Sequence, residues 1–232
     1  MRRIARYLPL LFLALFCVQF AAAQSAFDLN IGFGAIYDKA SSTQVDQDLN
    51  SCTTAGGYVP VTPCVSTPSL SGFMMGFGGD VMLKQKLGFG IEANFQPAKE
   101  TYVNLNASAA GLGLNSLAVQ SRMTLYDFNA VYQPYSSKKV AIKFQGGVGG
   151  ANLKFYEAAS SSSALGGSNQ SQYLQSANHF QVHGGASVDI FVTDHVYIRP
   201  QIDIHYVPNL TQFGSNVVIT GMAWIGYSWG DR

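Results

Sequence analysis

Charge is scarce in this chain. Of its 232 residues, 12% are Asp, Glu, Lys or Arg, and the net charge is +1; a soluble domain typically carries about twice that charged fraction. There is no basic stripe and no recognition-helix pattern, which argues against nucleic acid as a partner. The four histidines show no ligand spacing, so the sequence supplies no reason to expect a metal or any other cofactor. Gly32-Phe33-Gly34 and Gly76-Phe77-Gly78-Gly79 look like phosphate-binding loops, but no helical pattern follows them and they read as strand glycines. Cysteine is also rare, at three residues. Cys17 follows the bulky Phe16, which does not suit a lipidation site.

The first 23 residues have the form of an export signal. Arg2, Arg3 and Arg6 precede an apolar run from Tyr7 to Phe20, and Ala21-Ala22-Ala23 offers a small-residue cleavage site. The run is too short for a permanent membrane helix and a strand pattern follows it directly. The expected organisation is a cleavable signal over 1–23, carrying Cys17 away, and one domain over 24–232. In an oxidising space, Cys52 and Cys64, which share one polar segment, are expected to form a loop disulfide. Closing so small a loop stabilises by roughly 3 kcal/mol on the chain-entropy model. Metal binding is the weaker alternative there, since no histidine or carboxylate cluster lies beside them.

What the sequence has in quantity is apolar residues (47%) and glycine (24 residues), arranged in eight stretches that alternate apolar and polar side chains. The first runs from about Phe27 to Asp38, with Phe27, Leu29, Ile31, Phe33, Ala35 and Tyr37 on one face. The second, about Ser71 to Leu83, puts Phe73, Met75, Phe77, Val81 and Leu83 opposite Gly72, Gly76, Gly78 and Asp80. The third sets Leu87, Phe89, Ile91, Ala93 and Phe95 against Glu92, Asn94 and Gln96, and the fourth sets Tyr126, Phe128, Ala130 and Tyr132 against Asp127 and Asn129. Val140, Ile142, Phe144 and Val148 mark the fifth, opposite Lys143 and Gln145. Near Gly149-Gly150 the alternation slips, because Leu153 and Phe155 fall on the other parity; a bulge or the strand's end is expected there. Phe180, Val182, Ala186, Val188 and Ile190 define the sixth, opposite Gln181, His183, Ser187 and Asp189. The seventh alternates Val196, Ile198, Pro200, Ile202, Ile204 and Tyr206 with Tyr197, Arg199, Gln201, Asp203 and His205, and the eighth carries Val217, Ile219, Ala223, Ile225, Tyr227 and Trp229.

Connections alternate in length. Lys84-Gln85-Lys86, Pro134–Lys139 and Thr193-Asp194-His195 are short turns. The segment with the cysteine pair, Lys99–Ser121 and the serine-rich stretch Glu157–Asn178 are long and read as loops. An even strand count with this asymmetry predicts an all-β fold: an eight-stranded antiparallel transmembrane up-and-down barrel with long extracellular loops and short periplasmic turns. Tyr37, Phe73, Phe95 and Tyr206 fall at the outer strand ends, and Phe27, Tyr132, Tyr227 and Trp229 at the inner ends, as two aromatic girdles. A soluble barrel with its apolar face turned inward has the same periodicity. The export signal, the low charge and the Gly- and Asn-rich polar face favour lipid on the outside.

The pattern resembles the small eight-stranded outer-membrane barrels of the OmpA, OmpX and OmpW type. The resemblance rests on strand count, loop asymmetry, girdles and the aromatic last strand Gly221–Trp229, and covers almost the whole mature chain. It implies a bacterial outer-membrane location, contact with outer-membrane lipids and recognition by the barrel assembly machinery. Gly230-Asp231-Arg232 extends past the aromatic end that the machinery reads in such families. A monomer is expected, with no periplasmic domain after the last strand.

Asp80, Glu92, Asp127, Lys143, Asp189, Arg199 and Asp203 are expected to form a lumen charge network, joined by His183 and His205. A three-residue turn at 193–195 sets Asp189 across from Arg199 on one face. Buried charges must pair, so the network reads first as a plug and second as a gate. Function is assigned to a structural or surface-interaction role through the loops. The alternative is a narrow pore or small-solute conduit, with a lipid-modifying enzyme as the remote option. An enzyme is not expected: Val207 follows His205-Tyr206 with no serine beside the histidine, and His183 with Ser187 lies inside.

Overall fold

The computed structural model describes residues 26–38, 70–84, 86–105, 116–163, 166–209 and 216–230. The period-two segments become β1 (Phe27–Asp38), β2 (Gly72–Lys84), β3 (Leu87–Phe95), β4 (Glu100–Leu105), β5 (Ser116–Ser136), β6 (Val140–Ser163), β7 (Gly166–Phe191), β8 (Val196–Tyr206) and β9 (Val217–Trp229). Every neighbour pairing is antiparallel, and the sheet closes where β3 meets β5. β4 pairs Leu117–Ser121 of β5, directly above the stretch Thr124–Tyr132 that β3 holds. It therefore continues β3 beyond a break, and the ring has eight strands.

The break has a local cause. Pro97 has no N–H to give a ladder. Arg122 of β5 fills the gap: its Nε donates to Gln96 O at 2.6 Å and its guanidinium also reaches Pro97 O. The Gln96 side chain accepts from Met123 N at 2.7 Å and donates to Leu70 O at 3.0 Å.

Side chains sort by parity as the alternation predicts. Phe128 and Ile202 are more than 60% exposed, whereas Glu92 is 4% and Arg199 1% exposed. Exposed apolar residues occur on β1, β2, β3, β5, β6, β7, β8 and β9, all round the ring. So wide an apolar exterior around a polar interior is stable only in lipid. At the end where the chain enters and leaves, Phe27 stacks on Trp229 at 5.5 Å and Tyr227 lies 4.5 Å from Trp229, forming part of the periplasmic girdle.

Three expectations need correction. The alternation at Gly149-Gly150 does not slip: β6 runs on to Ser163, and its register with β5 is unbroken from Ser116↔Ser160 to Tyr132↔Phe144. Leu153 and Phe155 point into the barrel like Lys143 and Gln145, and are buried. What changes is the solvent. Below the row Tyr126, Gly150 and Phe180, joined across three strands, outward side chains are apolar. Above it they are Arg122, Thr124, Asn152, Lys154 and Asn178, and inward ones become Met123, Leu125, Ala151, Leu153 and Phe155. A barrel leaving lipid meets water outside, so its apolar side chains must turn inward; the inversion marks the outer membrane–water boundary.

The second correction concerns Glu157–Asn178, which is not a loop but the paired upper part of the β6–β7 hairpin, with Ser163 across from Gly166. Likewise Lys99–Ser121 contains β4 and the start of β5. The third concerns the Pro134–Lys139 turn: β5 reaches Ser136, after a register shift between Tyr132 and Tyr135 that places Pro134 in a bulge. The expected signal over 1–23, Cys17, Cys52 and Cys64 lie outside the described residues.

Candidate functional site: the barrel lumen

The lumen is filled in tiers. Nearest the periplasm, strands β1, β2, β6, β7 and β8 converge on an ion cluster. Lys143 Nζ lies 2.6 Å from Asp28 Oδ2, 3.0 Å from Asp80 Oδ2 and 3.1 Å from Asp189 Oδ2. Arg199 NH1 lies 2.8 Å from Asp80 Oδ2 and its Nε contacts Asp189 Oδ1. All five side chains are almost wholly buried. Ile190 opposite Ile198 sets the register that brings Asp189 across from Arg199. Tyr197 lies under the guanidinium, 4.9 Å from ring centroid to Cζ, and accepts a hydrogen bond from Asn30 Nδ2 at 3.3 Å.

The next tier holds two carboxylates without a Lys or Arg partner among the described residues. Gln145 Nε2 donates to Glu92 Oε1 at 3.2 Å and Asp203 Oδ1 at 2.9 Å. Gln201 Nε2 donates to Glu92 Oε2 at 3.0 Å and Asp203 Oδ2 at 2.8 Å. Two amides thus bridge two acids. Above them lie Asp127, His183 and His205. Asp127 Oδ1 accepts from Gln181 Nε2 at 2.7 Å.

The outermost tier is apolar: Ile36, Leu70, Met74, Met123, Leu125, Leu153, Phe155, Val207, Val218, Met222 and Trp224 form one buried cluster. Trp224 occupies space that side chains at Gly32 and Gly76 would take, since a Cβ at either would collide with its ring. These glycines are what admit an indole into so narrow a bore.

The structure buries Asp80, Glu92, Asp127, Lys143, Asp189, Arg199 and Asp203 on the inward faces of their strands. Asp80, Lys143, Asp189 and Arg199 meet directly; Glu92 and Asp203 meet through glutamines; Asp127 stands apart beside His183. Sequence reasoning missed Asp28 as a member of the ion cluster, although its parity placed it inside. It also missed Trp224 and the whole apolar tier. Parity was again the available signal, since 151, 153 and 155 continue the series 143 and 145. His205 faces inward, with Nε2 3.1 Å from Thr220 Oγ1, and not toward the outer leaflet.

An antiparallel ring of eight strands, greasy outside and packed with polar and charged side chains inside, defines a small transmembrane β-barrel. Residues 8–224 match the family model of the outer membrane protein beta-barrel domain; the chain belongs to that family, and its place is the bacterial outer membrane. No curated protein sequence matches it. Among solved structures, a major outer membrane protein of Thermus thermophilus is similar in fold at 10% identity and a TM-score of 0.56, covering 88% of this chain and 99% of that one. OprG of Pseudomonas aeruginosa aligns at 14% identity and a TM-score of 0.48, over 90% of this chain and 98% of that one. Ail of Yersinia pestis, solved with the heparin analogue sucrose octasulfate, aligns at 13% identity and a TM-score of 0.49, over 89% and 99%.

Proposed function

We propose that this protein is a non-enzymatic surface-contact protein: the closed barrel is an anchor, and the sheet it raises above the membrane is the contact surface. The observation that carries this reading is strand length. The 24 residues of β6, at about 3.3 Å each and a tilt of about 40°, rise roughly 60 Å along the axis, against an apolar band of roughly 25 Å. β7 is longer still at 26 residues, and β4 and the start of β5 extend the raised sheet on the other side. Function placed on a rigid support needs such a platform.

The raised sheet presents an aromatic patch. Tyr156 packs edge-on against Tyr173 at 5.8 Å, Lys99 Nζ sits 4.0 Å over the Tyr156 ring, and Leu174 is exposed beside them. Lys99 also donates to Ser171 Oγ at 2.7 Å, which ties β7 to the β3–β4 break. Tyrosines held rigid in a polar surround are the composition of a protein-binding surface.

The lumen charges act as a plug in this reading. The ion cluster and the apolar tier fill the bore at both levels, which supports a seal over a conduit. Apolar side chains all round the ring support a monomer surrounded by outer-membrane lipid. The aromatic last strand supports recognition by the barrel assembly machinery.

Two measurements test the proposal together. Purified barrel in planar bilayers is expected to be electrically silent, both as wild type and as Arg199→Ala. Cells displaying the full chain are expected to adhere to an immobilised matrix-protein panel, and Tyr156→Ala/Tyr173→Ala is expected to cut adhesion about tenfold with surface display unchanged, the size of loss that removal of an aromatic hot spot produces. Steady channel conductance of the wild type, or adhesion that the double variant leaves intact, contradicts it.

A further inference from the structure

Asp127 of β5, His183 of β7 and His205 of β8 come together in the middle of the lumen, and we propose that they bind one divalent first-row transition-metal ion. A ligand atom from each lies within 4.8 Å of the others. His183 and His205 are direct cross-strand partners, and their rings stack at 5.2 Å with planes 10° apart. The His183 ring lies beside the Asp127 carboxylate, 3.8 Å apart at Nε2 and Oδ1, the two atoms held by Asn129 and Gln181, which leaves Nδ1 and Oδ2 for a ligand.

Three independent observations point to a ligand. First, the groups are buried yet incompletely used. Asp127, His183 and His205 are 2%, 7% and 1% exposed, and Asp127 Oδ2, His183 Nδ1 and His205 Nδ1 have no hydrogen-bond partner among the described residues. Orphaned buried atoms are costly, and three in one cluster call for an explanation. Second, each histidine has its other nitrogen engaged by a side-chain oxygen: His183 Nε2 with Asn129 Oδ1 at 2.5 Å, and His205 Nε2 with Thr220 Oγ1 at 3.1 Å. A second partner that orients the ring is the usual support of a ligating histidine. Third, the lumen is short of positive charge. Asp28, Asp80, Glu92, Asp127, Asp189 and Asp203 are buried, and Lys143 and Arg199 are the buried Lys and Arg side chains among the described residues. Both are committed to Asp28, Asp80 and Asp189. A cation at Asp127 adds charge on the side of the lumen that these two do not reach.

Two imidazoles and one carboxylate suit zinc, cobalt, nickel or copper, and suit calcium or magnesium poorly. Ligand atoms about 2.0–2.1 Å from zinc lie roughly 3.4 Å apart, so separations of up to 4.8 Å close by up to about 1.4 Å as the rings turn about their soft outer torsions. The ion would join three strands across the bore. The apolar tier above and the ion cluster below enclose the site, so loading belongs to the folding step.

Full-length mature barrel refolded into detergent with Co2+ or Zn2+, then dialysed against metal-free buffer, tests this. The expected result is one ion per barrel, a visible Co2+ absorption band, and a urea midpoint that rises with metal concentration. Asp127→Asn preserves shape and is expected to weaken retention about tenfold or more, as is His205→Gln. His179→Ala/His195→Ala, which removes the two histidines outside the cluster, is expected to retain the ion. Mg2+ is expected to have no effect. Overturning results are no retained ion in wild type, equal retention by Asp127→Asn and His205→Gln with the folded gel mobility of wild type, or loss of the ion in His179→Ala/His195→Ala.

Discussion

Arg199→Ala is expected to destabilise the folded barrel by about 3–5 kcal/mol, the usual cost of removing one partner from a buried ion network. The guanidinium faces Asp80, Asp189 and Asp28, all buried. Without it, Lys143 alone remains against three carboxylates in a bore closed to water. Arg199→Lys is expected to lose less, but still substantially. One ammonium cannot hold Asp189 with two nitrogens while a third reaches Asp80, as the planar fork does. Arg199→Leu/Asp189→Leu is expected to recover part of the loss, because it removes an unmatched charge together with its partner. Urea unfolding of barrel refolded into phospholipid vesicles measures all three. A change below about 1 kcal/mol in Arg199→Ala would place the cluster in a far wetter environment than its burial indicates.

Trp224→Ala is expected to cost about 3–5 kcal/mol, as large-to-small changes of buried aromatics do. Its ring is wholly buried and belongs to the apolar tier. It also fills the hollow left by Gly32 and Gly76. That complementarity supplies a specific check. Gly32→Leu alone is expected to block folding, since its Cβ would lie 2.4 Å from the nearest atom of the indole ring. In the Trp224→Ala background the same leucine is expected to restore part of the lost stability by refilling the space. If Gly32→Leu folds normally beside an intact Trp224, this packing is wrong.

Much of this architecture was legible because a two-residue period fixes which face each side chain takes. Phe77, Phe128 and Ile202 lie outside, and Asp80, Asp127 and Asp203 inside, because lipid and lumen impose opposite demands on adjacent residues. The Asp189–Arg199 pair was legible too, since a short turn fixes register. Reading failed where the outside solvent changes. Leu153 and Phe155 looked out of phase because apolar was equated with outward, a rule that holds only within the lipid band. Above it, the strands obey the rule for soluble barrels, and the polar upper halves of β5, β6 and β7 passed for loops.

The lumen clusters were harder to see for a topological reason. His183 and His205 are 22 positions apart in the sequence and Asp127 is 56 before His183. No linear spacing relates them. His183 and His205 face each other through the β7–β8 register, and Asp127 reaches them across β6 because the ring curves. The glutamine bridges of Glu92 and Asp203 likewise depend on closure between β3 and β5.

β6 passes from lipid into water without changing its register against β5, and a spin-label scan of its outward positions tests this most directly. Single labels at Ile142, Phe144, Val148, Asn152, Lys154 and Tyr156, in a chain with Cys52 and Cys64 replaced, would be probed with oxygen and with a water-soluble nickel reagent in bilayers. The expected profile is oxygen-accessible and nickel-protected through Val148, then nickel-accessible from Asn152 onward. Nickel access at Phe144 and Val148 equal to that at Lys154 would contradict it, and would put the apolar belt of this barrel in water.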